Sequence, residues 1–226
     1  MPTAREVITE AVTLAREHFV SADGDAGRLA EAWLAHILET CEAVLLLNAN
    51  NFGDVAAPMR RAVIEHAVWL GWVSRHGDEA IPVLKAKYRA NVARNEDVLR
   101  AWAAWSPEQV DKALAIERRP VPTMKAVIGE LADSATAGAI FPQVWFGAYW
   151  SDSEQSHPSL GTARSMAEVP VEQWDAMLAA GLILALHSYS SMVPGDPWDP
   201  WIRDVIAKLA IAIGHSPSDL SGPEQT

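Results

Sequence analysis

The stretch VAAPMRRAVIEHAVWLGWV, Val55 to Val73, reads as one helix that is apolar on nearly every side. A helix of this kind is buried on both sides, within a bundle or at a subunit interface. Yet its middle carries Arg60, Arg61, Glu65 and His66. Positions four apart share a helix face, so Arg61 and Glu65 lie together, in line with Val68 and Trp72. Met59, Val63, Leu70 and Val73 cover the opposite side, near His66. Burying a lone charge costs several kcal/mol, so Arg61 and Glu65 are expected to pair. Arg60 lies about 100° round the helix from Arg61, and its stem is expected to carry the charge to water. An Arg fork has five donors, more than one carboxylate can satisfy, so a second segment must supply further partners.

The rest of the chain reads as helix throughout, with no convincing strand alternation. Thr3 and Glu6 form a capping box for a first helix that runs to about Val20. After the loop SADGDAG a long helix is expected from about Arg28 to Ala49, ended by NANNFGD. Asp78 is placed to cap a helix reaching about Trp105, with Pro82 near its first turn. SPEQ at 106–109 supplies Ser as cap, Pro at the first helical position and Gln at the third. Shorter helices are expected at about 123–135 and 142–156, a long one at about 171–192, and a last one from Asp199–Pro200 to Ile213. The expected fold is all-α: a single-domain bundle of about eight or nine helices over residues 1–214, with a flexible tail at 215–226.

Composition narrows the function classes. A formal charge of −11 over 226 residues repels phosphate backbones, which makes nucleic acid an unfavoured partner. The best basic stripe is Lys85, Arg89 and Arg100 on one helix, interrupted by Glu96, and a solvated helix face explains it as well. The longest apolar run, AMLAAGLILAL at 176–186, is too short to span a bilayer. The N-terminal segment is amphipathic and carries acidic residues, unlike a signal peptide, and the single Cys41 fits a reducing compartment and a core position, so a cytoplasmic location is expected. Ten Trp is a high count, and pairs such as Trp69 with Trp72, Trp102 with Trp105 and Trp145 with Tyr149 sit at helical spacing. They fill core gaps or line a pocket for a planar or cationic ligand.

The best source of partners for Arg61 and Glu65 is YWSDSEQSHPSL, where Ser153, Ser156 and His157 cluster on one helix face after an apolar run. A helix reading apolar-R-x-x-x-E-apolar-aromatic, followed by a later Y-x(several)-S-x-x-H-P, resembles a widespread bacterial helical domain family of uncharacterised function. The resemblance spans about residues 30 to 195 and falls on Arg61, Glu65, Ser153, Ser156 and His157; it implies no reaction. RRAVIEH also resembles the arginine, four to six residues, histidine signature of the HEPN ribonuclease superfamily. That likeness implies a dimeric cleft in which Arg stabilises phosphorane-like charge and His moves protons. On an unbroken helix, however, Arg61 and His66 point about 140° apart.

Glu154 and His157 have the E-x-x-H spacing of carboxylate-bridged di-iron bundles, with Glu39, Glu42 and His36 as possible further ligands, but a second E-x-x-H is missing. No P-loop, H-E-x-x-H or dinucleotide fingerprint occurs, so no metal or cofactor is expected. His187 reads as a core histidine or a further wall of the polar pocket. The sequence therefore points to a buried polar site with Arg61, Glu65 and His157 as candidate catalytic groups. Ser153, Ser156, Trp72 and Tyr149 are the candidate ligand contacts. The site is expected to bind or process a small anionic or aromatic ligand, in a possible homodimer. A HEPN-like nuclease of a defence or toxin system and a structural or interaction domain whose polar network fixes helix register are the alternatives.

Overall fold

The computed structural model describes residues 2–101, 105–132 and 171–212. These residues form an all-α bundle with no strand among them. In chain order the helices are α1 (Ala4–Glu17), α2 (Gly24–Ala49), α3 (Ala57–His76), α4 (Ala80–Arg94), α5 (Glu96–Ala101), α6 (Pro107–Leu114), α7 (Met124–Ala132), α8 (Val171–Ser190) and α9 (Asp199–Ala212). The expected helix at 142–156 and the expected tail at 215–226 lie outside the described residues. No helix among the described residues is long and apolar enough to cross a membrane.

Both expected capping boxes are present. The Thr3 hydroxyl accepts the Glu6 N–H while the Glu6 carboxylate accepts the Thr3 N–H at 2.8 Å. Ser106 and Gln109 do the same at the start of α6. Helix α1 ends at Glu17, short of the expected Val20. The carbonyl of His18 accepts the Trp198 indole N–H and that of Val20 accepts the Tyr189 hydroxyl, both at 2.8 Å. Aromatic donors from the far end of the chain thus hold this segment out of helical register.

Asp78 departs from expectation. It caps no helix that follows it: Gly77–Glu79 is a turn of 3₁₀ helix leading directly into α4. Instead its carboxylate accepts the Ala26 N–H at 2.8 Å and so serves the start of α2, 52 positions earlier. This is why α2 begins at Gly24, inside a stretch whose composition reads as loop. Gly24 has φ +81°, and a Cβ there would stand 3.0 Å from the Asp78 carboxylate, so both conformation and space favour glycine. The single helix expected from residue 78 to about 105 is broken at Asn95. The Asn95 side-chain amide donates to the Asn91 carbonyl at 2.9 Å and its backbone leaves the helical region.

The core runs along the α3–α8 crossing, with α2 packed against both and α1 against α8 and α2. Two glycines bring the helices together. A Cβ on Gly181 would meet Val63 Cγ1 at 3.1 Å, and one on Gly71 would meet the Ser188 hydroxyl and Leu131 at 3.2 Å. A separate small core of Val92, Val110 and Ala113 joins α4 to α6, with Leu99, Trp105 and Leu114 packed against it. Two members of the expected basic stripe are engaged within the chain: Arg100 pairs with Glu96 and Asp111, and Arg89 donates to the Leu114 carbonyl.

Cys41 is fully buried on α2, and burial pushes its thiol well above the ordinary range. A thiol-directed reagent should therefore leave Cys41 unmodified in the folded protein and react fully after denaturation. Because the folded state holds this proton more tightly, its contribution is intact below pH 9.0 and declines as pH rises above it. Urea denaturation across the alkaline range should show that loss in the native sequence and not in Cys41→Ala. Asp78→Ala should lower stability by about 1 kcal/mol through loss of the α2 cap, measured in the same way.

Candidate functional site

Two polar regions flank α3. The first surrounds Arg60, which is fully buried rather than reaching water. Its stripe on α3, shared with Ile64, Ala67 and Gly71, faces α8. One guanidinium nitrogen donates to the Gly53 carbonyl at 2.6 Å, and the guanidinium lies 4.0 Å above the Trp174 ring. The expectation that Arg60 extends to solvent is therefore corrected: of the adjacent arginines, it is the one enclosed. Beneath it, Asp175 on α8 is 4% exposed and accepts the Asn48 side-chain N–H at 2.7 Å. The other Asp175 oxygen is 3.3 Å from Arg5 Nε. That pair attracts electrostatically, but the Nε–H is not aligned for a hydrogen bond. Arg5 of α1, Asn48 of α2 and Asp175 of α8 thus form a polar cluster, adjacent in sequence to the Trp174 that covers Arg60.

Arg61 and Glu65 are each half-buried, on the face that continues to the buried Val68 and Trp72. Arg60 and Arg61 both make further interactions. The Glu65 carboxylate acts electrostatically on Lys87 of α4. Trp72, expected as a ligand contact, is engaged by α7. Its indole N–H donates to Glu130 at 3.2 Å, the same carboxylate hydrogen-bonds His76 at 2.7 Å, and the Trp72 and His76 rings lie 4.4 Å apart. Tyr149, Ser153, Ser156 and His157 lie outside the described residues, as does Glu154. Of the other groups weighed for a metal, Glu42 is paired with Arg16 at 2.6 Å. Among the described residues, no three His, Cys, Asp or Glu are placed to share a metal ion.

The second region is a cleft of about 760 Å³ where α2, α3 and α4 meet. Its walls include Trp33 from α2, His66 from α3, and Lys85, Lys87, Tyr88 and Asn91 from α4, with Leu29, Ile81 and Leu84 supplying apolar surface. His66 Nδ1 lies 2.7 Å from the Ala62 carbonyl, which can only accept, so Nδ1 carries the proton. In the neutral ring, Nε2 is then the acceptor. The His66 ring packs edge-on against Trp33 at 6.0 Å and His36 at 5.0 Å.

Lys87 Nζ sits 3.6 Å over the Trp69 ring. Burial lowers its pKa while the Glu65 carboxylate raises it, with burial the larger effect. The indole face also favours the charged ammonium. The Trp69 N–H is buried with no acceptor among the described residues. Sequence reasoning placed Lys85 on a solvated face and gave Trp33 and Lys87 no role. The two lysines of α4 are visible in the sequence only as charge, because the cleft they line is completed by α2 and α3. Comparison with protein-family models, with curated proteins and with solved structures found no match.

The two regions predict different mutational costs. Arg60→Ala should lower stability by about 2–4 kcal/mol, because it strands the Gly53 carbonyl and removes the cation from Trp174. Glu65→Ala should cost no more than about 1 kcal/mol, since its partner Lys87 is half-exposed. Chemical denaturation of the two variants measures the order. A larger loss in Glu65→Ala would place the stabilising charge pair on the other face of α3.

Proposed function

We propose that this helical protein binds a small anionic, aromatic ligand in the cleft between α2, α3 and α4. One observation carries the reading: on a chain of net charge −11, this cleft gathers Lys85, Lys87 and His66 beside the rings of Trp33 and Tyr88, and the carboxylate on its lining, Asp25, is itself paired with Arg28. Concave sites of several hundred Å³, mostly apolar with a few convergent polar groups, are where small ligands bind. The lysines supply attraction for a carboxylate or phosphate, and the aromatic and aliphatic side chains supply a surface for a ring. With its Nδ1–H held by the Ala62 carbonyl, His66 leaves Nε2 as the ring atom that can accept a hydrogen bond from a bound ligand.

The alternatives draw less support. A phosphate-cleaving role for α3 needs Arg61 and His66 at one phosphate, and on this single helix the two point about 140° apart, while Arg60 is held between Gly53 and Trp174. A purely structural role accounts for the Arg60 centre, and leaves the cleft without a purpose.

Titration calorimetry with indole-3-acetate, against the uncharged indole-3-acetamide, tests the reading. Saturable binding of the acid is expected, weaker for the amide. Lys85→Ala/Lys87→Ala should weaken binding of the acid about tenfold, the effect of losing about 1.4 kcal/mol of charge-assisted contact. Equal binding of acid and amide, or affinity unchanged in the double variant, would overturn it.

A further inference from the structure

Beyond Tyr88 the surface of α4 opens into a second cleft, of about 730 Å³, between α4 and α6. Its walls include Lys85, Tyr88, Trp105, Gln109 and Lys112. Lys85 and Tyr88 line both clefts, so the two are contiguous along α4. The Tyr88 and Trp105 rings are 28° from parallel, with centroids 6.4 Å apart. A planar ring held between two others needs a van der Waals contact of about 3.5 Å on each side, or about 7 Å in all. At this spacing the two rings form an ordinary offset-stacked pair, so a slot for a third ring opens only when one of them swings aside.

Its two sides are unequally fixed. Trp105 packs against the small core of Val92, Val110 and Ala113. Tyr88 is 46% exposed and can swing outward without breaking a core contact. Lys112 is exposed on α6, and Lys85 on α4, so a cation stands on each helix that walls the slot.

We infer that Tyr88 and Trp105 form a clamp that takes a planar aromatic ring, with Lys85 and Lys112 holding an anionic group attached to that ring. The clamp deepens the ligand reading above and rests on it, as a second subsite joined to the first through Lys85 and Tyr88. The shared chemistry is a flat ring bearing a sulfonate, carboxylate or phosphate, which both a simple aromatic acid and a nucleotide present. Stacking supplies most of the affinity and is tolerant of ring identity. The lysines reject the uncharged ring.

The test uses the full chain and two probes, naphthalene-1-sulfonate and adenosine 5′-monophosphate, followed by calorimetry at two salt concentrations. Saturable binding of at least one probe is expected; which of the two binds more tightly separates an aromatic-acid site from a nucleotide site. Trp105→Ala should weaken it about tenfold, as expected for loss of one stacking face. Because Trp105 also packs on a small core, Lys112→Glu provides a fold-neutral second variant, expected to weaken binding severalfold and to flatten its salt dependence. Trp33→Ala, which alters only the first cleft, should leave probe affinity in the clamp within about twofold. If neither probe binds while indole-3-acetate still does, or if affinity falls in Trp33→Ala and not in the Trp105 and Lys112 variants, the clamp is wrong and the first cleft stands. If indole-3-acetate and both probes fail together, both readings fall.

Discussion

The α3–α8 crossing is the contact on which the other elements depend, and Arg60 is its most demanding component. A guanidinium removed from water carries a desolvation penalty of several kcal/mol, and it is tolerated only where donors and charge are met by fixed partners. Here those partners are a carbonyl in the loop that joins α2 to α3 and the face of Trp174 near the start of α8. The same charge therefore ties the entry of α3 to the entry of α8. Further along, Gly181 and Gly71 remove the side chains that would hold the helices apart. Moving α8 away would break the ring contact on Arg60 and open the glycine seam together.

With that crossing fixed, the stability of the remaining walls is uneven. Helix α2 is held at its start by Asp78 and along its length by the core. Helix α4 contributes only Ala80, Ala86 and Val92 to the buried set. An element with few buried apolar contacts sits at the low end of local stability and can shift at low cost. Since α4 carries Lys85, Lys87 and Tyr88, the wall that presents the candidate ligand-binding groups is the one best able to adjust around a ligand.

The fold class and most helix ends were legible in the sequence because they are set by local chemistry. Thr3 with Glu6 and Ser106 with Gln109 satisfy backbone donors within one turn, and nothing distant is needed to read them. The failures share a different cause. Asp78 looks like the cap of the helix after it, but the donor it serves lies 52 positions before it. Helical continuation from His18 to Val20 looks favourable until the donors of Trp198 and Tyr189 claim the carbonyls of those two residues. The expectation that Arg60 reaches water failed for the same reason. On a helix apolar all round, the step of about 100° tells which residues share a face and leaves open which face meets the deepest neighbour.

The two lysines of the first cleft show why a net charge misleads about a local site. At −11 the whole chain repels anions at long range, yet beyond about 8–10 Å that repulsion is screened at physiological salt. Inside a concave site the near charges decide. Lys87 is already partly balanced by Glu65 and by the indole of Trp69, so it is held in place and attracts an incoming anion less strongly than a bare charge would. Lys85 is exposed on the ridge shared by both clefts, where it faces whichever anion enters either of them. A compensated cation and a more exposed one two residues away form a graded pair: in the proposed site, the first would shape the wall and the second would draw the anion.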